Sequence, residues 1–262
     1  MLRPLILAAA LLATAAHADP ARERVDRQSA ATRPHLVEPA LHLANARSHV
    51  PRVALTLDAC SGRTDLRILD TLVENRIPAT LFVTARWLRH NPEAIAVLKQ
   101  HPDLFEIENH GRDHLAAIDR PIQVYGVRSV GSEEGLLLEV GGGAQAIVGA
   151  GFDAPHWFRG ATAKYSTSAI DRIEALGFRI GGYSLNGDGG SLLGAKQTAR
   201  RIAGSQDGDV IISHINQPGH AAGAGVVEGI LALKKKGFAF VLLRDAAEPE
   251  AVKPVRAAAV GQ

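Results

Sequence analysis

A series of polar residues stands where apolar runs end. Asp58 closes the run Val53-Ala-Leu-Thr-Leu57, and His110 and His114 follow Phe105-Glu-Ile-Glu108. Arg159 follows Trp157-Phe158, Asn186 and Asp188 follow Phe178 to Ser184, and His214 follows Val210 to Ser213. Acids and imidazoles scattered at random would not select strand ends so often. The sharpest local pattern is His110-Gly-Arg-Asp-His114. Two imidazoles at i and i+4 lie on one face if the segment is helical. Such a pair suits a borderline divalent metal: zinc first, with cobalt or nickel as alternatives. An isolated H-x-x-x-H is more often two solvated loop histidines. Its place after a strand, beside the other groups, favours ligation.

These residues need a scaffold that brings strand ends together. Strands are expected at Val53–Leu57, Ala79–Thr84, Phe105–Glu108, Trp157–Arg159, Phe178–Ser184, Val210–Ser213 and Phe238–Leu243. Helices are expected between them, at 66–75, 93–100, 130–149, 168–176, 195–203 and 226–235. Gly141, Gly142 and Gly143 weaken the third expected helix, since each costs about 1 kcal/mol in a helix interior. Seven strands alternating with helices point to a parallel α/β sheet, open or closed into a barrel. In such folds chemistry sits at the carboxyl ends of the strands.

The chain of 262 residues suits one large domain. A formal charge of +2 gives no field that favours nucleic acid, and none is expected as a partner. Residues 1–18 read as a signal peptide: a basic start at Arg3, an apolar run from Leu5 to Ala15, and Ala16-His17-Ala18 as a cleavage site. The run is shorter than the roughly 20 residues of a spanning helix. No stable membrane span is therefore expected after cleavage, and the protein is expected to be periplasmic or secreted. Residues 19–50 read as a leader or linker, 51–246 as the domain, and 247–262 as a flexible tail. Cys60 is the single cysteine, so no internal disulfide can form.

Thr56-Leu-Asp58, Asn109-His110-Gly-Arg-Asp-His114, Phe158-Arg159-Gly-Ala-Thr-Ala-Lys-Tyr165, Asn186-Gly-Asp188 and Ile212-Ser-His214 occur in this order. The set resembles the five motifs of the polysaccharide deacetylases, the family-four carbohydrate esterases with the NodB-type domain, over about residues 51–246. The resemblance implies a distorted (β/α)7 barrel. It also implies metal-dependent removal of N- or O-linked acetyl groups from an acetylated glycan or peptidoglycan. Carried over residue by residue, Asp58 matches the catalytic base, and His110 and His114 match metal ligands. Arg159 matches the arginine that orients the base, Asp188 the partner of the acid, and His214 the acid itself. Tyr165, Asn186 and Asn216 are candidate substrate contacts.

The first motif departs from the family pattern. Asp58-Ala59-Cys60 stands where two adjacent aspartates are usual, and alanine cannot bind a metal. Asp58 then serves as ligand and base at once, or another group fills the gap. Cys60 shares a face with Asp58 if the strand continues, and a thiolate there could bind zinc. A buried cysteine more often acts as a small apolar residue. Asp65 and Asp113 are further candidates. Arg159-Gly-Ala-Thr replaces the usual Arg-Pro-Pro-Tyr, and Gly189-Gly190 takes the place of an expected tryptophan. These departures leave two other readings: a degenerate carbohydrate-binding protein on the same fold, or a hydrolase of non-sugar amides.

Overall fold

The computed structural model describes residues 36–44 and 49–246. The expected signal peptide, the leader as far as residue 35 and the expected tail lie outside the described residues. The strands are β1 (Arg52–Ala59), β2 (Ala79–Val83), β3 (Phe105–Asn109), β4 (Gln123–Val124), β5 (Val127–Arg128), β6 (Trp157–Phe158), β7 (Arg179–Ile180), β8 (Leu185–Asn186), β9 (Val210–His214) and β10 (Ala239–Phe240). The helices are α1 (Leu66–Glu74), α2 (Ala85–His90), α3 (Pro92–Gln100), α4 (Glu133–Gly149), α5 (Thr167–Ala175), α6 (Ala195–Ala203) and α7 (Ala221–Lys235).

β1 is buried along nearly its whole length. That is the signature of a parallel strand covered on both faces. It is central in a parallel sheet of order β7-β6-β3-β2-β1-β9-β8, and β10 pairs with its first residues. The sheet curls into the distorted (β/α)7 barrel expected from the sequence. Alternation along β1 sorts its side chains. Val53, Leu55, Leu57 and Ala59 join the apolar layer beneath the helices. Ala54 packs on the other side with Phe82, Trp157 and Val210.

The barrel interior is strongly polar. Thr56, Thr80, Glu106, Glu108 and Arg159 are all buried. The Thr80 hydroxyl donates to Glu106 at 2.6 Å. Glu108 accepts from the backbone amides of His156 at 2.8 Å and Trp157 at 2.7 Å. Burial, with the Glu106 charge beside it, pushes the Glu108 carboxyl from 4.5 up to about 8, against the pull of the two amides. The folded chain then holds a proton that the unfolded chain has released. Stability should therefore fall as pH rises from 4.5 to about 8, by at most about 1.4 kcal/mol per pH unit. Denaturant unfolding across that window should show the slope. Glu108→Gln keeps an acceptor for the amides and should flatten it; an unchanged slope would place its origin elsewhere.

Residues 36–44 fall within the stretch read from sequence as leader, yet they line the barrel wall. The strands at the two ends of the sheet, β7 and β8, are not paired with each other. The segment runs beside this gap. Val37 pairs with Tyr165, Leu41 donates to the Tyr183 carbonyl, and Leu43 donates to the Gly208 carbonyl. Leu41 and Leu43 are buried against Trp157 and Leu243. Glu38 accepts from the Lys164 ammonium at 2.6 Å and from the Tyr183 hydroxyl. Two apolar anchors and an ion pair are too short a pattern to stand out in an Arg- and Ala-rich stretch.

Candidate active site

Strand register gathers the chemistry. Asp58 is level with Phe82 on β2 and His214 on β9. Asn109 is level with Phe158 on β6, so His110 and Arg159 leave adjacent strands side by side. Beyond the strands the ladder continues, with the Ile215 amide donating to the Asp58 carbonyl.

Arg159 is fully buried and uses its guanidinium as a fork. It donates to Asp58 Oδ1 at 2.8 Å, Thr56 Oγ1 at 3.0 Å, the Gly181 carbonyl at 2.7 Å and the Gly182 carbonyl at 3.0 Å. Its guanidinium carbon also lies 4.0 Å from the centroid of the Phe82 ring. With Oδ1 occupied, Asp58 Oδ2 lies 3.7 Å from His110 Nε2. Burial would raise the Asp58 carboxyl. Arg159, with His110 and His214 behind it, holds it below the ordinary range.

Beside it, at the end of β9, stands a second pair. Asp188 accepts from the His214 backbone amide at 2.7 Å and lies 3.1 Å from His214 Nδ1 through both oxygens. An ionised carboxylate only accepts, so the proton sits on Nδ1 and Nε2 is the atom left for chemistry. Burial opposes charge on this ring. Asp188, with Cys60 adding to it, lifts His214 well above an ordinary imidazole.

The His110–His114 segment is a loop and not the helix on which the i, i+4 expectation rested. His114 has φ +62°, a conformation uncommon outside glycine. The two rings nevertheless meet edge to face, with centroids 5.0 Å apart. His110 Nδ1 lies 2.6 Å from the Arg159 carbonyl. Cys60 Sγ lies 3.6 Å from His110 Nε2. Cys60, His110 and His114 each offer one ligand atom, all within 4.8 Å of one another. Two imidazoles and a thiol at this spacing form a donor set that fits a divalent metal. Asp58, expected as a ligand, is not in that set.

α4 is the platform for this loop. Its buried positions Leu136, Glu139, Val140, Gly143 and Ile147 fall on one stripe. Glu139 accepts from the backbone amides of Asp113 and Leu115 at 3.0 Å. Asn109 donates to the Val140 carbonyl at 2.8 Å and accepts from the Gly111 amide at 2.8 Å. Sequence reasoning missed Glu139; its only signal was one acid inside the apolar run Leu136-Leu-Leu-Glu-Val140.

The glycines that weakened this helix on paper separate here. A Cβ on residue 143 would lie 2.1 Å from Asn109 Oδ1 and 2.8 Å from the Gly111 carbonyl carbon, whereas one on residue 141 meets nothing. Gly141→Ala should therefore stabilise the protein by up to about 1 kcal/mol and leave activity unchanged. Gly143→Ala should cost about 1–3 kcal/mol and impair activity by displacing the histidine loop. Thermal unfolding and turnover measured side by side check both; equal effects of the two changes would remove the close approach as the reason for Gly143.

The three expected substrate contacts divide. Asn216 is buried next to the Cys60–Gly62 turn, and among the described residues neither of its amide atoms has a partner. Asn186 accepts from the Gly189 amide at 2.8 Å and shapes the turn that carries Asp188. Tyr165 does not line the cleft. It is 1% exposed, and its hydroxyl accepts from the Gly160 amide, bracing the loop after Arg159 from below.

The polysaccharide deacetylase family model matches residues 45–181. The chain belongs to the polysaccharide deacetylase family. It is accordingly a hydrolase of acyl amide or ester bonds, acting as a carbohydrate deacetylase. Among solved structures it is similar to a peptidoglycan N-acetylglucosamine deacetylase in complex with a substituted N-oxidanyl-benzamide. The identity is 20%, the TM-score 0.64, and the match covers 80% of this chain and 92% of that one. A family 4 acetyl xylan esterase from Clostridium thermocellum, in complex with a cobalt ion, is 23% identical, with TM-score 0.59 and coverage of 74% and 89%. A family 4 pseudoenzyme from Bacillus anthracis is 17% identical, with TM-score 0.58 and coverage of 76% and 66%. At these identities the structures establish the fold this deacetylase shares with them. No curated protein matches the chain.

Proposed function

We propose that this deacetylase is metal-dependent and removes acetyl groups from an exported glycan, with peptidoglycan as the leading substrate. The observation that carries the reading is that a carboxylate held by Arg159 and an imidazole held by Asp188 stand level on neighbouring strands, with the carboxylate 3.7 Å from His110 Nε2. The expected signal peptide supports an exported location. The name of the peptidoglycan-acting neighbour supports the substrate class. No helix among the described residues is long and apolar enough to cross a membrane.

His110 and His114 hold the metal in this reading. Bound there, a divalent cation supplies Lewis acidity to the acyl carbonyl and to water. The chain does the rest. Asp58 Oδ2, the oxygen that Arg159 leaves free, takes a proton from the attacking water. His214 Nε2 donates a proton to the departing amine or alkoxide, while Asp188 keeps Nδ1 protonated and the ring aimed. The balance is one water consumed, with acetate and a free amine or hydroxyl released.

The protein stripped with chelator and reloaded with zinc or cobalt should release acetate from acetylated chito-oligosaccharides. His114→Ala should lower this by about 100-fold or more, since disturbing even the partners of a ligand costs about 10–100-fold. Absence of release with every metal would support a binding protein on this fold. Faster turnover of small acetylated amides than of sugars would move the substrate class.

A further inference from the structure

We infer that the metal site of this protein is a thiolate centre, in which Cys60 is the third protein ligand beside His110 and His114 and Asp58 stays outside the coordination sphere. The inference deepens the metal-dependent reading and rests on it.

Three observations meet. The first is the donor geometry: the Cys60 sulfur and one nitrogen from each imidazole lie within 4.8 Å of one another. Ligands about 2.0–2.3 Å from a common ion must lie within roughly this separation. The second is the tautomer of His110. Its Nδ1 faces the Arg159 carbonyl at 2.6 Å. A carbonyl can only accept, so Nδ1 carries a proton and Nε2 is the nitrogen that faces Cys60 Sγ, 3.6 Å away. A backbone carbonyl on the far nitrogen is the usual way a metal-binding histidine is oriented. The third is crowding of electron-rich atoms. Asp58 Oδ2 lies 3.7 Å from the same nitrogen. A sulfur and a carboxylate oxygen converging on one point favour positive charge there.

The strand explains why sulfur fills this place. Ala59 is fully buried and belongs to the apolar layer on the helix side of the sheet. Asp58 and Cys60 leave the other face two residues apart. Asp58 Oδ1 is taken by Arg159 and the residue falls outside the cluster of three ligand atoms, which leaves Cys60 as the third donor. One thiolate and two neutral imidazoles carry the same net charge as one carboxylate and two imidazoles. The softer sulfur favours zinc and cobalt over magnesium, calcium or manganese. Three protein ligands leave a position open, as catalytic zinc sites require.

The test uses the whole protein loaded with one equivalent of cobalt(II). A thiolate ligand adds an intense near-ultraviolet sulfur-to-cobalt charge-transfer band that oxygen and nitrogen ligands do not give. Wild type should show the band at one metal per chain, and a large excess of magnesium should not displace the ion. Cys60→Ser should abolish the band and weaken zinc binding by about 100-fold or more. Cys60→Asp should also lose the band while still holding metal through its carboxylate, which separates loss of sulfur from loss of fold. Stoichiometric cobalt without the band, or zinc affinity in Cys60→Ser equal to wild type, would overturn the thiolate centre and leave metal dependence standing. No stoichiometric metal in wild type would overturn both.

Discussion

Asp58→Asn should lower acetate release by about 100- to 10,000-fold, the range general base catalysis contributes, while the metal stays bound at one per chain. Asparagine keeps an oxygen to accept from Arg159 and removes the negative charge together with the ability to take a proton. Two roles proposed for one carboxylate are separated by this change. If Asp58 is the base alone, turnover collapses and metal content does not. If it is a ligand as well, both fall together. The geometry favours the first outcome, because Oδ1 is paired with Arg159 and the ligand atoms that cluster belong to Cys60, His110 and His114. Metal analysis and turnover on the same preparation decide it. Turnover within a few-fold of wild type would remove Asp58 from the chemistry.

Two electrostatic pairs standing level on neighbouring strands give a physical reason for the arrangement. Arg159 keeps a buried carboxylate ionised, and Asp188 keeps a part-buried imidazole charged, each against the pull of desolvation. Groups whose environments push their protonation in opposite directions are what acid–base chemistry needs. The backbone holds each pair in place. Asp188 accepts from the His214 main-chain amide, and Arg159 donates to two main-chain carbonyls.

The strand ends were legible because a parallel barrel forces long apolar runs and leaves polar residues only where the run stops. β1, β2, β3 and β9 lie where the sequence places them, and α6 agrees to the residue. Of the expected strand over 178–184 only β7 forms, and β8 begins beyond it at Leu185. Between the two, the carbonyls of Gly181 and Gly182 accept from the Arg159 side chain. No local pattern reports a partner 22 residues away. α2 was missed because it is short and merges with the strand before it; Thr84 caps it through the Trp87 amide. α7 begins at Ala221, earlier than expected, because Gly223 and Gly225 read as a loop in sequence but sit in close contacts with Asp65 and Ala195. The site was legible by residue type and only partly by role. Cys60 reads as an ordinary buried residue until His110 and His114 are folded against it.

Arg159→Met should be the most destabilising single change at the site, costing about 3–5 kcal/mol. Methionine is unbranched and roughly fills the stem, so the loss is electrostatic more than steric. It leaves Asp58 buried beside no cation of its own and strips the Gly181 and Gly182 carbonyls of a donor, in a region without solvent to replace it. Against a total stability of roughly 5–15 kcal/mol, such a loss should show as a large fall in denaturant midpoint and in soluble yield. Asp58→Asn placed on top of Arg159→Met should return part of it, because the unpaired charge is gone; coupling on the order of 0.5–3 kcal/mol is expected for groups in contact. The double variant should remain inactive. Strictly additive effects would mean that Arg159 stabilises the barrel through Gly181, Gly182 and Phe82 alone, and that the charge on Asp58 is held by something else.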